Sequence, residues 1–403
     1  MAVIFPGSTE DVSAVLAQAS EAAVPVTPWG GGTAVGVGAS PARLGIVLNL
    51  GRMSGLLEHE PGDLTATVQA GMPLRALQTA LGERGQWLSL DPPDGDVATI
   101  GGVLSANASG SRRHLYGTAR DVLIGITVVC ADGAVIRGGG KVVKNVAGYD
   151  IPKLFVGAYG TLGVIVEATV KLRPRADEEV LLAARFASLK DCALAVRQLL
   201  LSDLIPSAVD VLDGDAAGAL GLSREHAVLV VGFDGLAEQV AWQRGEFERI
   251  ILDSGGDGIV ELPSVMWASL PIAARLAVAD TVAVMRMSVL PARVTELIER
   301  AGTMARGAGL RAAFSAHAGV GTVSGALAGR PESINAIVAT LREWRSAARA
   351  AGGHAEIEQA PLAVKERVDP WDDAGASLRI MQRIKARLDP KGILNPGRFV
   401  GAI

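Results

Sequence analysis

The chain has 403 residues, of which 49% are hydrophobic and 20% charged, and this size and composition predict a soluble protein with more than one domain. Its 42 acidic residues outnumber its 38 lysines and arginines, giving a net charge of −4, which provides no electrostatic basis for binding nucleic acid. The two cysteines, Cys130 and Cys192, form no CxxC pair and are too few for a disulfide scaffold, a cysteine-ligated zinc site or an iron–sulfur cluster.

The N-terminal residues, MAVIFPGSTEDV, contain a proline and then acids, unlike a secretory signal. Apolar runs such as HAVLVVGF are much shorter than the ~20 residues that cross a bilayer. We therefore expect a cytoplasmic protein without a membrane span of its own.

Helix and strand patterns alternate over the first 175 residues. Residues 8–23 begin with serine and threonine before acids and repeat apolar residues every three or four positions, which predicts a capped amphipathic helix. PLRALQTALGERG, with proline in its first turn and glycine at its end, predicts a second helix. The remaining runs predict strands: VPVTP, GIVLNL, LTATVQAG, the pair in VLIGITVVCADGAVIRG joined by an Asp-Gly turn, and GVIVEATVKLRP.

The charged stretch RPRADEEVLL, near residues 174–182, marks a domain boundary. Beyond it, strand-like and helix-like runs alternate, which is the order of an α+β domain with its helices on one face of a sheet. The strand-like runs include VLLAARF, AVLVVGF and TVAVMRMSVL, and the helix-like runs include LKDCALAVRQLLL, LAEQVAWQRGEFERIIL and PARVTELIERAGTMARGAG.

A loop with five glycines in twelve positions, TPWGGGTAVGVG at 27–38, allows the backbone to approach a flat or anionic ligand closely. A Rossmann loop would open a helix and be followed by an acid about 20 residues on, but this loop leads into the strand GIVLNL. A Walker A motif would need Ser or Thr after Lys141, where Val142 stands. Both NAD and nucleoside triphosphate are therefore disfavoured as ligands.

Five segments, in their order along the chain, resemble FAD-linked oxidases of the p-cresol methylhydroxylase/vanillyl-alcohol oxidase superfamily. Within it, the resemblance is greatest to the FAD-binding subunits of glycolate oxidases. It covers almost all of 1–175 and the closing segment, and only loosely the middle of the chain. The segments are PVTPWGGGTAVGVG, ATIGGVLSANASG, YGTARDVLIGITVVCADG, VKNVAGYDIPKLFVGAYGTLGVIVEATVKLRP and LDPKGILNPGRFV.

The resemblance implies an α+β fold with a two-subdomain PCMH-type FAD-binding domain and an α+β cap domain that has an antiparallel sheet and covers the flavin ring. We accordingly expect the FAD-binding domain over 1–175, the cap over 176–365, and a C-terminal segment over 366–403 that packs back on the FAD-binding domain. The implied function is that of the FAD-binding subunit of a glycolate or other 2-hydroxy-acid dehydrogenase complex. Hydride would pass from the hydroxy acid to flavin, and electrons would pass on to a partner.

The resemblance also implies partners and FAD contacts. The partners are a longer FAD subunit and an iron–sulfur subunit, and any membrane association would come through them. Some members attach FAD through a histidine where Thr33 stands here, and DPPDGDVATIGG lacks the cysteine of the other tether, so we expect non-covalent FAD. The implied contacts are Trp29, Gly30, Gly31, Gly32, Thr33, Ala34, Pro92, Ala98, Thr99, Ile100, Gly101, Gly102, Ala106, Asn107, Gly110, Tyr116, Gly160, Gly163, Val164 and Ile165. The alternative is that these glycines only form turns.

Oxidising a 2-hydroxy acid requires a group that holds the carboxylate and a base that takes the hydroxyl proton, while flavin takes the hydride. An arginine suits the carboxylate. Arg286 interrupts the apolar run VMRMSVLP, so it either faces the flavin cavity or reaches solvent from an edge strand. Arg113 and its neighbour Arg112 are the next candidates for holding the carboxylate. The alternatives for both are a contact with FAD phosphate or with solvent.

His317, in FSAHAGVG, is the best candidate base. Its segment resembles half of an HxGxGxxH element that holds a metal in related dehydrogenases. Val323 and Ser324 stand where the second histidine would be, so we expect no metal. This gap favours a second function, a flavin-binding electron-transfer or structural subunit without turnover of its own. A free-standing FAD oxidase of the same superfamily, acting on another alcohol, is a third alternative.

The other histidines carry weaker arguments. His354, Glu356 and Glu358 alternate along one predicted strand face, which either binds a metal or shuttles protons, or is a solvated face. We expect His59 and His114 at the surface.

Overall fold

The computed structural model describes residues 2–140, 150–278 and 280–403, so Lys141 and residues 143–149 of the fourth resembling segment lie outside the described residues. The chain divides into two compact units. Unit 1 comprises Met1–Ser109, Gly117–Arg175 and Asp373–Ile403, and unit 2 comprises Gly110–Tyr116 and Ala176–Asp372. Unit 2 thus includes residues 366–372 and a short segment from within the predicted FAD-binding domain.

Strands and short helices alternate up to Arg175. The strands are β1 (Ala2–Ile4), β2 (Val26–Trp29), β3 (Ile46–Asn49), β4 (Leu56–Glu60), β5 (Thr65–Gln69), β6 (Gln86–Trp87), β7 (Leu123–Val129), β8 (Val135–Gly139), β9 (Val164–Lys171) and β10 (Arg173–Pro174). The helices are α1 (Thr9–Glu21), α2 (Leu74–Gly82), α3 (Ile100–Ala106), α4 (Arg113–Tyr116), α5 (Ala119–Val122) and α6 (Pro152–Phe155).

Unit 1 contains two main sheets. Strands β1, β3 and β2 form a parallel sheet in that order, and β4, β5, β9, β7 and β8 form an antiparallel sheet. Helix α1 begins where the sequence predicts, because the Ser8 hydroxyl caps it by accepting a hydrogen bond from the Asp11 N–H at 3.1 Å. These sheets correspond to the two predicted subdomains.

The closing segment of the chain completes unit 1. It contains helix α14 (Ser377–Leu388) and continues into Ile393 and Leu394, which are fully buried. The Lys385 ammonium donates to the Thr161 carbonyl at 2.7 Å and the Leu394 carbonyl at 2.9 Å, and it pairs with the buried Asp389 carboxylate at 2.7 Å. Burial lowers the pKa of Lys385, and Asp389 partly offsets this effect. Lys385 therefore ties the closing segment to the turn before β9.

Unit 2 is built on one eight-stranded antiparallel sheet with the order β14-β11-β13-β12-β16-β17-β15-β18. Its strands are β11 (Glu178–Phe186), β12 (Ala208–Leu212), β13 (Ala227–Gly235), β14 (Ile259–Leu262), β15 (Thr281–Ser288), β16 (Arg311–His317), β17 (Thr322–Ala328) and β18 (His354–Gln359). Its helices after Arg175 are α7 (Leu189–Leu201), α8 (Gly214–Ala219), α9 (Ala237–Asp253), α10 (Ala273–Ala277), α11 (Val294–Gly307), α12 (Ile334–Ala350) and α13 (Leu362–Lys365).

The two faces of this sheet differ in chemistry. Helices α7, α9, α11 and α12 pack on one face around residues such as Phe314 and Met285. Because side chains alternate across a strand, His317 on β16 and Arg286 on β15 lie on the opposite face. The same face also carries two smaller apolar clusters, around Leu212 and Ala313, on which α8 and α10 pack. We call the part of this face that carries His317 and Arg286 the polar face. None of the helices in the described parts of the chain is both long and apolar enough to span a membrane.

The partly buried carboxyl of Asp213 is expected to make stability depend on pH. Its oxygens accept hydrogen bonds from the Ala216 N–H at 2.8 Å and the Phe314 N–H at 3.0 Å, but burial raises its pKa to about 7. The folded chain therefore binds this proton more tightly than the unfolded chain. The contribution to stability is present below about pH 4 and is lost as pH rises toward the folded-state pKa.

We expect the wild-type free energy of unfolding to fall over this pH range by at most about 1.4 kcal/mol per pH unit from this group. The Asp213→Asn variant should show a shallower fall, measured by urea unfolding at successive pH values. A slope that the substitution leaves unchanged would contradict the assignment.

Candidate functional site

The glycine loop that follows β2 packs directly on the segment before α3. A Cβ on Gly31 would lie 1.8 Å from the Val97 carbonyl oxygen, and one on Gly30 would lie 2.2 Å from Thr99 Oγ1. Gly32 has a φ of +79°, in the left-handed region. These glycines are therefore required by the close approach of two loops within unit 1, and Gly31 and Thr33 remain exposed.

The second loop holds buried polar atoms that meet no partner within the described residues. Thr99 caps α3 by accepting a hydrogen bond from the Gly102 N–H at 3.3 Å. Asn107 ends the helix in the left-handed conformation, with φ of 48°. The Oδ1 atom of Asn107 and the hydroxyl of Ser109 are buried without a hydrogen-bond partner in the part of the chain that is described. Because such atoms are costly unless satisfied, these loops fit a polar ligand such as FAD.

The closing segment links the first loop to the third, which precedes β9. The Asn395 amide donates to the Tyr159 carbonyl at 2.7 Å, and the buried Arg398 donates to the Ala34 carbonyl at 2.6 Å. Gly160, the residue after Tyr159, has a φ of +68°. Sequence reasoning did not single out Asn395 or Arg398, although both lie in the resembling segment LDPKGILNPGRFV.

The other predicted FAD contacts divide by position. Gly110 and Tyr116 belong to unit 2, where Tyr116 hydrogen-bonds the Asp234 carboxylate, whose pKa is raised by burial and lowered by this bond. The side chains of five further residues are buried, so any contact of these residues with FAD would be made by backbone atoms. They are Pro92, Ala98, Ile100, Val164 and Ile165. Gly101 packs on Ala70 and Gly163 on Val128, while Trp29, Ala106 and Gly102 are partly buried.

His317 lies at the end of β16 on the polar face of unit 2. Its Nδ1 atom is 2.8 Å from Oδ1 of Asp210, on the neighbouring strand β12. The Asp210 residue is only 2% exposed, and its other oxygen accepts a hydrogen bond from the Ser111 hydroxyl. The arrangement presents a partly exposed imidazole that is hydrogen-bonded to a buried carboxylate and can act as a proton acceptor.

The expectation that His114 and His59 lie at the surface is wrong. His114 is half-buried, and its Nδ1 atom packs against Gly319. Burial lowers the pKa of His114, and the charge of Asp210 and the Gly319 backbone partly offset this. His59 is also partly buried, with Nε2 lying 2.9 Å from Gln86 Oε1. Both segments look like loops in the sequence, but His59 lies on β4 and His114 on α4.

The two arginines of the segment Gly110–Tyr116, Arg112 and Arg113, have different surroundings. Arg112 is 9% exposed: its Nη1 lies 2.7 Å from Glu179, and its guanidinium carbon lies 4.0 Å from the centre of the Trp267 ring. The alternative that Arg112 contacts solvent is therefore wrong, because two side chains of unit 2 enclose it. Arg113 begins α4 and is partly buried.

Arg286 lies on β15, between β17 and β18, so the edge-strand interpretation is wrong. Its Nε donates to Glu356 Oε1 at 2.5 Å, and its Nη1 lies 3.4 Å from Glu358. The strand face that carries these two acids therefore neutralises an arginine, and His354 at its start is exposed. Within the described ranges, no group of side chains is arranged to hold a metal ion.

Comparison with known proteins gives two family matches. A model described as "FAD binding domain" matches residues 1–139, and one described as "FAD linked oxidases, C-terminal domain" matches residues 175–399. The chain is 37% identical over 256 residues to "Glycolate oxidase subunit GlcD" of Bacillus subtilis, covering 62% of this chain and 54% of that protein. It is 31% identical to "D-lactate dehydrogenase" of Archaeoglobus fulgidus, covering 99% of this chain and 91% of that one.

Solved structures share the fold. An alkyldihydroxyacetonephosphate synthase superposes with a TM-score of 0.78 at 20% identity, covering 98% of this chain and 77% of that one. A p-cresol methylhydroxylase superposes with a TM-score of 0.78 at 19% identity, covering 98% and 88%. The predicted α+β fold, with a PCMH-type FAD-binding part and an antiparallel sheet, is thereby confirmed.

Proposed function

The chain belongs to the family of FAD-linked oxidases, as its sequence motifs predict, and from this premise we propose that it oxidises a small 2-hydroxy acid with non-covalently bound FAD. Glycolate and lactate, which appear in the names of two relatives, are both 2-hydroxy acids. A third relative, 41% identical over 43% of this chain, is a "D-2-hydroxyglutarate dehydrogenase". The chemistry shared by these names is oxidation of a carbon that bears a hydroxyl beside a carboxylate.

The loops of unit 1 would hold FAD through backbone groups of Gly30–Ala34 and through Asn107 and Ser109. Backbone N–H groups in such loops bind a pyrophosphate without a cation. Their fit rests on the close approach at Gly31 and on the unpartnered buried atoms of Asn107 and Ser109. Thr33 cannot form the histidyl linkage, which favours non-covalent attachment.

The observation that carries the catalytic part of the proposal is the imidazole of His317 on the polar face, paired with a buried carboxylate. When bound, FAD supplies the acceptor for the hydride from C2 of the hydroxy acid. His317 accepts the hydroxyl proton, so that a 2-oxo acid forms. Arg113 and Arg286 are the candidates for holding the substrate carboxylate, because a guanidinium binds it through two parallel hydrogen bonds.

One observation favours a second candidate function. Arg286 is already neutralised by Glu356 and Glu358, which weakens it as a ligand for a substrate anion. This would suit a flavin-binding electron-transfer subunit without turnover of its own. In both cases we propose that electrons leave through partner subunits, one with a longer FAD-binding chain and one with iron–sulfur clusters.

The deciding experiment is the visible spectrum of the purified full chain, followed by anaerobic addition of glycolate or D-lactate. An oxidised-flavin spectrum that bleaches supports the dehydrogenase proposal, whereas one that stays unchanged supports the electron-transfer candidate. Absence of flavin even after incubation with FAD would contradict both. Acid precipitation should release the flavin if it is non-covalent, and peroxide formation in air without a partner would indicate a free-standing oxidase.

A further inference from the structure

Three side chains that are far apart in sequence meet in unit 2, and one of them is the proposed base, His317. Asp210 accepts one hydrogen bond from Ser111, 99 positions earlier, and contacts His317, 107 positions later, at 2.8 Å. Register confirms the second contact, because Asp210 and His317 are directly paired across β12 and β16. Cross-strand partners in such a pair point to the same face of the sheet.

A buried carboxylate at this position calls for an explanation beyond packing. Asp210 is 2% exposed and interrupts a strand whose neighbours Val209 and Val211 are buried in the core. Burying a charge is costly unless each oxygen is satisfied, and here both oxygens have partners. An apolar residue would suit the strand at least as well, so the carboxylate is better explained by its effect on His317.

We infer that Asp210 is a positioning residue for His317, and that Ser111 holds Asp210 in place. The inference rests on the proposed function, in which His317 takes the hydroxyl proton of the substrate. A carboxylate at Nδ1 favours the tautomer with hydrogen on Nδ1, which makes Nε2 the basic nitrogen. It also fixes the ring orientation and stabilises the imidazolium after proton transfer, the role that a buried aspartate has in serine protease triads.

Among the described residues, His114 on α4 is a further titratable group close enough to Asp210 to feel its charge. Burial lowers the pKa of His114 below its ordinary value, which favours the neutral form of this side chain. Gly319 leaves the space for this packing, because a Cβ there would lie 2.3 Å from His114 Nδ1.

The test compares the full-length wild type with Asp210→Asn and Ser111→Ala, all loaded with FAD. The substrate is whichever of glycolate and D-lactate bleaches the flavin of the wild type. With it, we expect Asp210→Asn to slow anaerobic flavin reduction by on the order of 10²-fold or more. Ser111→Ala should slow it by about tenfold, as expected for one lost hydrogen bond. Asp213→Asn is the matched control, since Asp213 is a partly buried aspartate of the same unit whose carboxyl accepts hydrogen bonds from the Ala216 and Phe314 backbone. This variant should reduce its flavin at the wild-type rate.

A second readout does not depend on turnover. In protein labelled with 15N-histidine, His317→Gln identifies the His317 signals among those of the five histidines. We expect hydrogen on Nδ1 in the wild type. In Asp210→Asn the other tautomer should gain population, and the titration midpoint should fall by ~1 pH unit or more because an opposite charge is lost.

An unchanged tautomer and midpoint in Asp210→Asn would overturn the inference, even if turnover fell. So would a loss of rate in Asp213→Asn as large as that in Asp210→Asn. If neither glycolate nor D-lactate bleaches the wild type, the proposed substrate class fails, and the NMR result still decides whether Asp210 orients His317.

Discussion

We expect the Gly31→Ala variant to lose FAD while keeping its secondary structure. The added Cβ would lie 1.8 Å from the Val97 carbonyl oxygen and 2.8 Å from the carbonyl carbon, far inside van der Waals contact. The obstructing atoms belong to backbone, so relief requires the glycine loop to move away from the segment before α3. The backbone groups proposed to hold FAD would then be displaced, and a displacement of ~1 Å is enough to weaken a preorganised site severely.

The matched control is Gly62→Ala, the same change at an exposed glycine of unit 1 where an added Cβ meets no atom within 4 Å. The measurement is the ratio of flavin absorbance to protein absorbance after purification and after dialysis against FAD. Far-UV circular dichroism reports whether each variant is folded. Retention of FAD by Gly31→Ala at the level of Gly62→Ala would show that the loop does not form the cofactor site.

The second large effect is expected for His317→Gln. Loss of a general base typically lowers a rate by ~10²–10⁴-fold, so flavin reduction by the active substrate should slow by that order. The FAD content should stay at the wild-type level, because the residues proposed to bind FAD lie in unit 1 and His317 lies in unit 2. Stopped-flow absorbance under anaerobic conditions measures the rate directly.

His226→Gln is the control for this substitution. The His226 side chain contacts Ser223 at 3.1 Å and has no assigned role, so its variant should reduce flavin at the wild-type rate. His354→Gln decides between two locations for the base. A large loss of rate in His354→Gln together with normal reduction in His317→Gln would place the base on β18 instead of β16.

Local structure was predictable wherever local chemistry determines it. Helix α7 has the bounds of the predicted run LKDCALAVRQLLL, because Ser188 caps its start and one side of the helix is apolar. The pairing of Glu356 and Glu358 with Arg286 was not predictable, although the sequence singled out all three residues. Their contact depends on strand register, in which Arg286 faces Glu356 across β15 and β18.

The partners of His317 were hidden for the same reason. Asp210 sits in the run AVDVL, which reads as an ordinary buried strand, and Ser111 sits in a loop-like stretch rich in glycine and serine. Only the order of strands in the folded sheet brings them together. The close approach of Gly31 to Val97 was easier to predict from the sequence. Glycines that no local turn requires indicate that another part of the chain comes close to them.

The segment Gly110–Tyr116 has a consequence for how this family can diversify. It lies between two stretches of unit 1 along the gene, yet it supplies Ser111 to Asp210 and Arg112 to Glu179. Suppose that residues 176–372 of one relative replaced those of another. The hybrid would then contain Asp210 and Glu179 from the first protein, but the residues at positions 111 and 112 that contact them would come from the second. Such hybrids should fold stably only where the recipient already encodes a matching segment, so unit 2 must be exchanged as two separate pieces of the chain and not as one.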